Sequence, residues 1–118
     1  EISKWTTKRT SGLLIPMRPN SLQDISRFPQ KAAEYAASAS PMITNPVGEI
    51  SRFFTDGENA LFAETFSIEA YCSAMAYILD NPKKAFAIGQ QGRAMAVKRF
   101  HFESIAEPWY DFLQYLLK

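Results

Sequence analysis

Residues Arg27–Ile50, RFPQKAAEYAASASPMITNPVGEI, decide the architecture. Phe28-Pro29 closes a loop, and proline suits the first position of a helix, where its missing N–H is no loss. Gln30 to Ser38 is rich in alanine, a strong helix former. Pro41-Met42-Ile43-Thr44 is a short apolar run bounded by Pro41 and by Asn45-Pro46, which predicts a buried parallel strand. The stretch therefore reads as turn, helix, strand and a second turn that carries Glu49.

The flanks extend this α/β pattern. Gly12-Leu13-Leu14-Ile15-Pro16 reads as a strand closed by proline, and Ala60-Leu61-Phe62-Ala63 as another after the turn Asp56-Gly57-Glu58-Asn59. Three parallel strands are expected near 12–16, 41–44 and 60–64, with helices near 29–39, 67–80, 82–99 and 103–117. Met17 to Phe28 reads as a loop, and loops after the carboxyl ends of parallel strands are where open α/β sheets bind ligands. Gly48-Glu49-Ile50 starts a brief helix with Ile50, Phe53 and Phe54 on its apolar side. Ser67 can cap the next helix, whose Ile68, Tyr71, Cys72, Met75, Ile78 and Leu79 fall at helical spacing as a core stripe. In the following helix Ala85, Ile88, Gly89, Gly92 and Ala96 share one side; two glycines there point to close approach by another backbone, or alternatively to a ligand. The last helix has an apolar stripe of Ile105, Trp109, Phe112, Leu113 and Leu116, with Pro108 expected to kink or break it. Glu1 to Ser11 is polar and weakly patterned.

Composition excludes several classes. The chain has 118 residues, 47% apolar and 21% charged, which allows one folded domain and argues against disorder. A net charge of +1 and scattered basic pairs such as Lys83-Lys84 give no nucleic-acid footprint. These pairs read as solvated charges, with contact to an anionic membrane as the lesser alternative. Cys72 is the one cysteine, so no intrachain disulfide forms, and its apolar setting predicts a buried structural thiol. With no signal-like apolar run, this favours the cytoplasm, peripherally at the membrane if the basic pairs touch lipid. His101 is the one histidine; it cannot make a metal site or a serine–histidine–carboxylate arrangement and should cap or pack beside Phe100 and Phe102.

Lys31 and Glu34, three apart, share a helix face. A carboxylate on the first turns of a helix is placed to grip sugar hydroxyls, and the free N–H groups at the helix start are placed for phosphate. That combination suits a nucleotide-sugar site. The segment from Arg27 to Ile50 resembles the donor-binding signature of the retaining glycosyltransferases of family 4 (group 1), which have the two-lobed GT-B fold. FFTDGENALFAETFSIEAYCSAMAYILDNP resembles the family's turn, strand, helix and Asn-Pro sequence, and IGQQGRAMAVKRFHFESIAEPW its closing helices. The likeness runs from about Gly12 to Leu117 with the elements in order.

The resemblance implies site residues. In the family two glutamates seven residues apart bracket the donor sugar and ribose; the second corresponds to Glu34, which would accept hydrogen bonds from the ribose hydroxyls. The alternative is a solvated glutamate paired with Lys31. The first glutamate falls at Ser26, a departure that leaves open how the sugar is held; Asp24 is near but two residues out of register. Phe28, Pro29, Gln30 and Lys31 match the junction beneath the diphosphate, with Lys31 either neutralising phosphate or pairing with Glu34, and Arg27 and Ser26 belong to the same nucleotide-sugar-binding stretch. Gly48 and Glu49 match the pocket's far rim, Glu49 otherwise being an ordinary carboxylate at a helix start. Family members commonly have glycine where this chain has Ala37-Ser38-Ala39-Ser40, so either the helix ends differently here or Ser40 adopts a strained conformation.

By the same resemblance, residues 1–118 are a single partial domain, the last part of a donor-binding lobe entered at the fourth of six parallel strands. The helix at 103–117 would close it. The expected function is glycosyl transfer from a nucleotide-diphospho-sugar to a carbohydrate or lipid-linked acceptor hydroxyl with retention, without metal or other cofactor and without nucleic acid. The catalytic residue is not specified, and the fragment alone should be inactive. The strand Leu13–Ile15 would leave a free edge and the last helix an uncovered stripe, so the tail should fold back, swap or form a homodimer. The competing reading is a non-catalytic interaction or remnant domain on the same half-fold.

Overall fold

A computed structural model describes residues 10–118. Its elements are β1 (Leu13–Ile15), α1 (Leu22–Ser26), α2 (Gln30–Ala37), β2 (Met42–Thr44), α3 (Ile50–Phe53), β3 (Leu61–Phe62), α4 (Ile68–Asp80), α5 (Pro82–Arg99) and α6 (Phe102–Leu116). The reading of Glu1 to Ser11 as a weakly patterned segment falls almost entirely outside the described residues.

The three strands form one parallel sheet in the order β1-β2-β3. Leu13 faces Met42 and Ile15 faces Thr44; Ile43 faces Leu61. Alternation along β2 then splits the core. Met42 joins Ile15, Ala32, Ala36, Ile50, Phe54 and Ala96 on one side, while Ile43 joins Leu61, Ala63, Ile78, Ala85 and Ile88 on the other. Burial of β2 on both faces explains its unbroken apolar run. Leu14, by contrast, is 40% exposed, and the outer edge of β1 pairs with no strand among the described residues.

The seam between α2 and α5 explains the two helix glycines. A Cβ on Gly89 would stand 2.0 Å from the Ala39 carbonyl oxygen, and one on Gly92 would stand 3.1 Å from that of Asn59. Backbone approach, not a ligand, occupies both positions. The same seam settles the end of α2. Ser38 caps it, and Ala39 takes φ 64°, the left-handed conformation for which glycine is the usual residue. Strain therefore sits on Ala39 rather than on Ser40.

Several expectations are corrected. Met17–Phe28 is not all loop: Ser21 Oγ accepts from Asp24 N at 3.4 Å and starts α1. The Ser21-x-x-Asp24 spacing, a capping pattern, was the available signal. Only part of the stripe on α4 is core: Ile78 is buried and Tyr71 packs against it. Ile68 is 80% exposed and Leu79 68%, Cys72 is exposed, and only Ile78 of that helix is buried. Tyr71, Ala70 and Ala74 are the other residues that pack inward. Pro108 does not break α6, which runs through it. Nor does α6 fold back: it buries no residue, and Trp109 is 57% exposed. His101 caps α6 by accepting from Glu103 N and stacks on Phe102, as the sequence predicts.

Candidate functional site

The carboxyl ends of the three strands gather the loops that the sequence marks as functional. Asn45, directly after β2 and buried, holds them together. Its Oδ1 accepts from Met17 N at 3.0 Å, beyond the end of β1, and from the Tyr71 hydroxyl on α4. Its Nδ2 donates to the carbonyls of Ala63 and Thr65, beyond β3, at 3.2 and 3.4 Å. Thr44 adds a bond from Oγ1 to the Ile15 carbonyl at 2.8 Å. Buried amides must find such partners, and this one uses both ends of its side chain. Burial pushes the Tyr71 hydroxyl above its ordinary pKa.

Next to this hub the β1–α1 loop is closed by Asp24, whose side chain is only 4% exposed. Oδ2 accepts from Arg18 N at 2.9 Å and from Arg18 Nε at 3.0 Å; Oδ1 accepts from an Arg27 terminal nitrogen at 3.4 Å. Hydrogen bonding from the Arg18 side chain is the main reason that the carboxyl is held below the usual carboxylate range. Asp24 is therefore engaged by protein and not free to replace the carboxylate missing at Ser26. Ser26 donates its hydroxyl to the Leu22 carbonyl within α1, at 2.7 Å.

Gly48 lies under α1. It has φ 58°, and a Cβ there would stand 2.5 Å from the Ile25 carbonyl oxygen. A side chain at this position would lift α1 off the β2–α3 turn. Glu49 is half-exposed and pairs with Arg52 at 2.9 Å. Phe28 leaves the edge and packs inward, its ring 5.3 Å from those of both Phe53 and Phe100.

On α2, Ala32 and Ala36 are buried, while Gln30, Lys31 and Glu34 are exposed. Glu34 lies two residues from each buried alanine, about 200° around the helix, so it points away from the sheet. No ion pair between Lys31 and Glu34 occurs among the described residues. The structure thus brings Arg27, Gly48 and the hub together at one edge and leaves Gln30, Lys31 and Glu34 on the outside of α2. Sequence reasoning missed Asn45, Arg18 and the burial of Asp24, because each depends on a partner in another loop.

Open grooves lie elsewhere. A groove of about 810 Å³ runs along α5 between Lys84 and Arg99, floored by Ile88 and Met95, and a smaller one borders Leu14, Met75 and Leu79. Among the described residues no cluster of histidine, cysteine and carboxylates could hold a metal ion. No described helix is long and apolar enough to cross a membrane.

A three-stranded parallel sheet with helices on both faces and its loops converging on the carboxyl edge is a partial Rossmann-like half-domain of the GT-B type. The family model described as glycosyl transferase-like matches residues 14–111, and the chain belongs to that family. Among solved structures it is similar to sucrose-phosphate synthase from Thermosynechococcus elongatus, with a TM-score of 0.71 and 27% identity over 76% of this chain. The likeness spans 23% of the length of that synthase. A comparison with curated proteins gave no match.

Proposed function

We propose that this chain is the donor-binding part of a nucleotide-sugar-dependent glycosyltransferase that moves a hexosyl-type group to an acceptor hydroxyl with retention of configuration. The observation that carries this reading is Glu34, an exposed carboxylate with no ion-pair partner among the described residues, on the outer side of a helix whose N-terminus meets the loop-bearing edge of the sheet. An ionised carboxylate is acceptor-only and takes two hydroxyl donors side by side, which suits a ribose diol. Membership of a glycosyl transferase-like family and the likeness to a sucrose-phosphate synthase support the reaction class.

The direction of Glu34 adds a requirement. A donor held by it lies on the side of α2 away from this sheet, so groups beyond this chain complete the pocket and supply the acceptor site. In this reading the first N–H groups of α2 and Lys31 would face the departing diphosphate, and fixed donors there would lower the barrier to its departure. The residues present call for no metal.

Calorimetric titration of the intact protein with uridine and guanosine diphospho-sugars tests the assignment. Glu34→Ala should weaken binding about tenfold or more, the loss of hydrogen bonds to a charged acceptor. Unchanged affinity in that variant, or no donor binding at all, overturns it in favour of a non-catalytic scaffold.

A further inference from the structure

Phenylalanine rings from three separate parts of the chain meet in one cluster. Phe28 lies just before α2, Phe53 ends α3, and Phe100 joins α5 to α6. Ring centroids stand 5.3 Å apart for Phe28–Phe53, 5.3 Å for Phe28–Phe100 and 5.1 Å for Phe53–Phe100. The first pair meets edge-on and the others are tilted, arrangements that the aromatic quadrupole favours. The Arg99 guanidinium lies over the Phe53 ring at 5.1 Å. All of these rings are half-buried and pack on the core that holds Met17, Ile50 and Ala96.

The start of α2 has no cap of its own. Ser21, Ser67 and His101 cap α1, α4 and α6 with side-chain acceptors, whereas α2 begins at Pro29 without a side-chain hydrogen bond. An apolar residue before a helix start ordinarily staples to the fourth helical residue, which here is Ala33. Ala33 offers only a methyl group; the aromatic partners of Phe28 are Phe53 and Phe100.

We infer that Phe53 and Phe100 are positioning residues for the donor site. Through the Phe28 ring they fix where α2 begins, and with it the placement of Gln30, Lys31 and Glu34. The donor part of this inference rests on the proposed function; the anchoring of α2 does not. Neither Phe53 nor Phe100 needs to touch a donor, and Phe28, expected from the sequence in the nucleotide-sugar site, belongs to the anchor. A site in place only part of the time binds with affinity reduced by that fraction, so a loosened anchor is read as weaker binding in a protein that stays folded.

The test uses the intact protein, calorimetric titration with uridine and guanosine diphospho-sugars, and amide hydrogen exchange at Ala32 to Glu34 followed by NMR. Phe100→Ala should weaken donor binding about threefold to tenfold, the scale of one aromatic pair, and speed that exchange by a similar factor. Phe100→Tyr keeps the ring and should restore both. Ile88→Ala truncates the core on the opposite face of the sheet, lowers stability without touching the cluster, and should change neither. Phe28→Ala should match Phe100→Ala, and the double variant should lose no more than Phe28→Ala alone, because the same anchor is removed once. Should Phe100→Ala fail to fold, Phe100→Leu, apolar but without a ring, decides in its place. Unchanged exchange at α2 in Phe100→Ala, an equal rise in Ile88→Ala, or losses that multiply in the double variant overturn the positioning role. Faster exchange with unchanged donor affinity overturns it too. If the wild type binds no donor while Phe100→Ala still speeds exchange at α2, the anchor stands and the donor assignment falls. If Glu34→Ala weakens donor binding while Phe100→Ala changes nothing, only the positioning role falls.

Discussion

Helices α5 and α6 follow one another with only Phe100 and His101 between them, yet one is built into the fold and the other stands outside it. α5 has small residues on its inner side and buries Ala85, Ile88, Gly89, Gly92 and Ala96. α6 has large ones, among them Ile105, Trp109, Phe112, Leu113 and Leu116, and buries none. The difference shows what each kind of stripe records. Glycine inside a helix costs about 1 kcal/mol relative to alanine, so its presence marks a surface that needs the room. A large apolar stripe records a demand for cover without saying where the cover is, because the hydrophobic effect has no direction.

The sharpest way to break this contrast is Gly89→Val. The new Cβ would stand 2.0 Å from the Ala39 carbonyl oxygen, a clash with backbone that no rotamer relieves. A loss of about 3 kcal/mol is expected in chemical denaturation. Gly92→Ala sharpens it, since its Cβ would be 3.1 Å from the Asn59 carbonyl oxygen and a small shift plus better helix propensity should bring the net change within about 1 kcal/mol of zero. Equal effects at the two sites would mean that α5 is not seated as described.

On the other side of the same seam, Ala39→Gly should stabilise the chain by about 0.5–1 kcal/mol. It removes a left-handed strain of about 1–2 kcal/mol and returns part of that as backbone entropy in the unfolded state. A destabilised Ala39→Gly variant would show that the residue is not held at φ 64° in solution.

These residues also mark how far the sequence could be read. Arg27 to Ile50 was legible because proline, alanine and a bounded apolar run give local signals that tertiary structure then kept. The three parallel strands followed from it. The end of α2 was legible only as a question, since an alanine replaced the expected glycine and nothing local says which residue takes the strain. The stripe on α4 misled in part because periodicity tells which side of a helix is apolar, not whether anything lies against it; Ile78 and Tyr71 pack inward, while Ile68, Cys72 and Leu79 face outward. At the site, Glu34 and Lys31 could be placed on a helix from spacing alone. Asn45 and the Arg18–Asp24–Arg27 cluster could not, because each hydrogen bond joins segments whose proximity only the fold creates.

Acid offers a further way to pull the packed body and α6 apart. The Asp24 carboxyl is held below its ordinary range, chiefly by the Arg18 hydrogen bond. Its contribution is fully present above the unfolded-state value, about 3.9 for aspartate, and is lost as pH falls through the lower folded value. Unfolding monitored in acid should therefore show the body weakening over that window, and Asp24→Asn should remove that part of the slope. An identical slope in the variant would mean that other carboxylates govern the acid limb.

The smallest effects belong to α6. Trp109→Ala and Leu113→Ala should change the unfolding free energy by no more than about 0.5 kcal/mol, the range of surface substitutions. Ile88→Ala, on α5, should cost about 2–4 kcal/mol by comparison. An isolated helix of this length is marginal in water, so α6 should also be the first element to lose helical signal on heating. A Trp109→Ala cost of 2 kcal/mol or more, at the scale of a buried aliphatic truncation, would reverse the assignment. It would mean that α6 is covered in solution by a surface outside this chain's own body, and that its stripe, like the glycines of α5, records a contact that the intact protein makes.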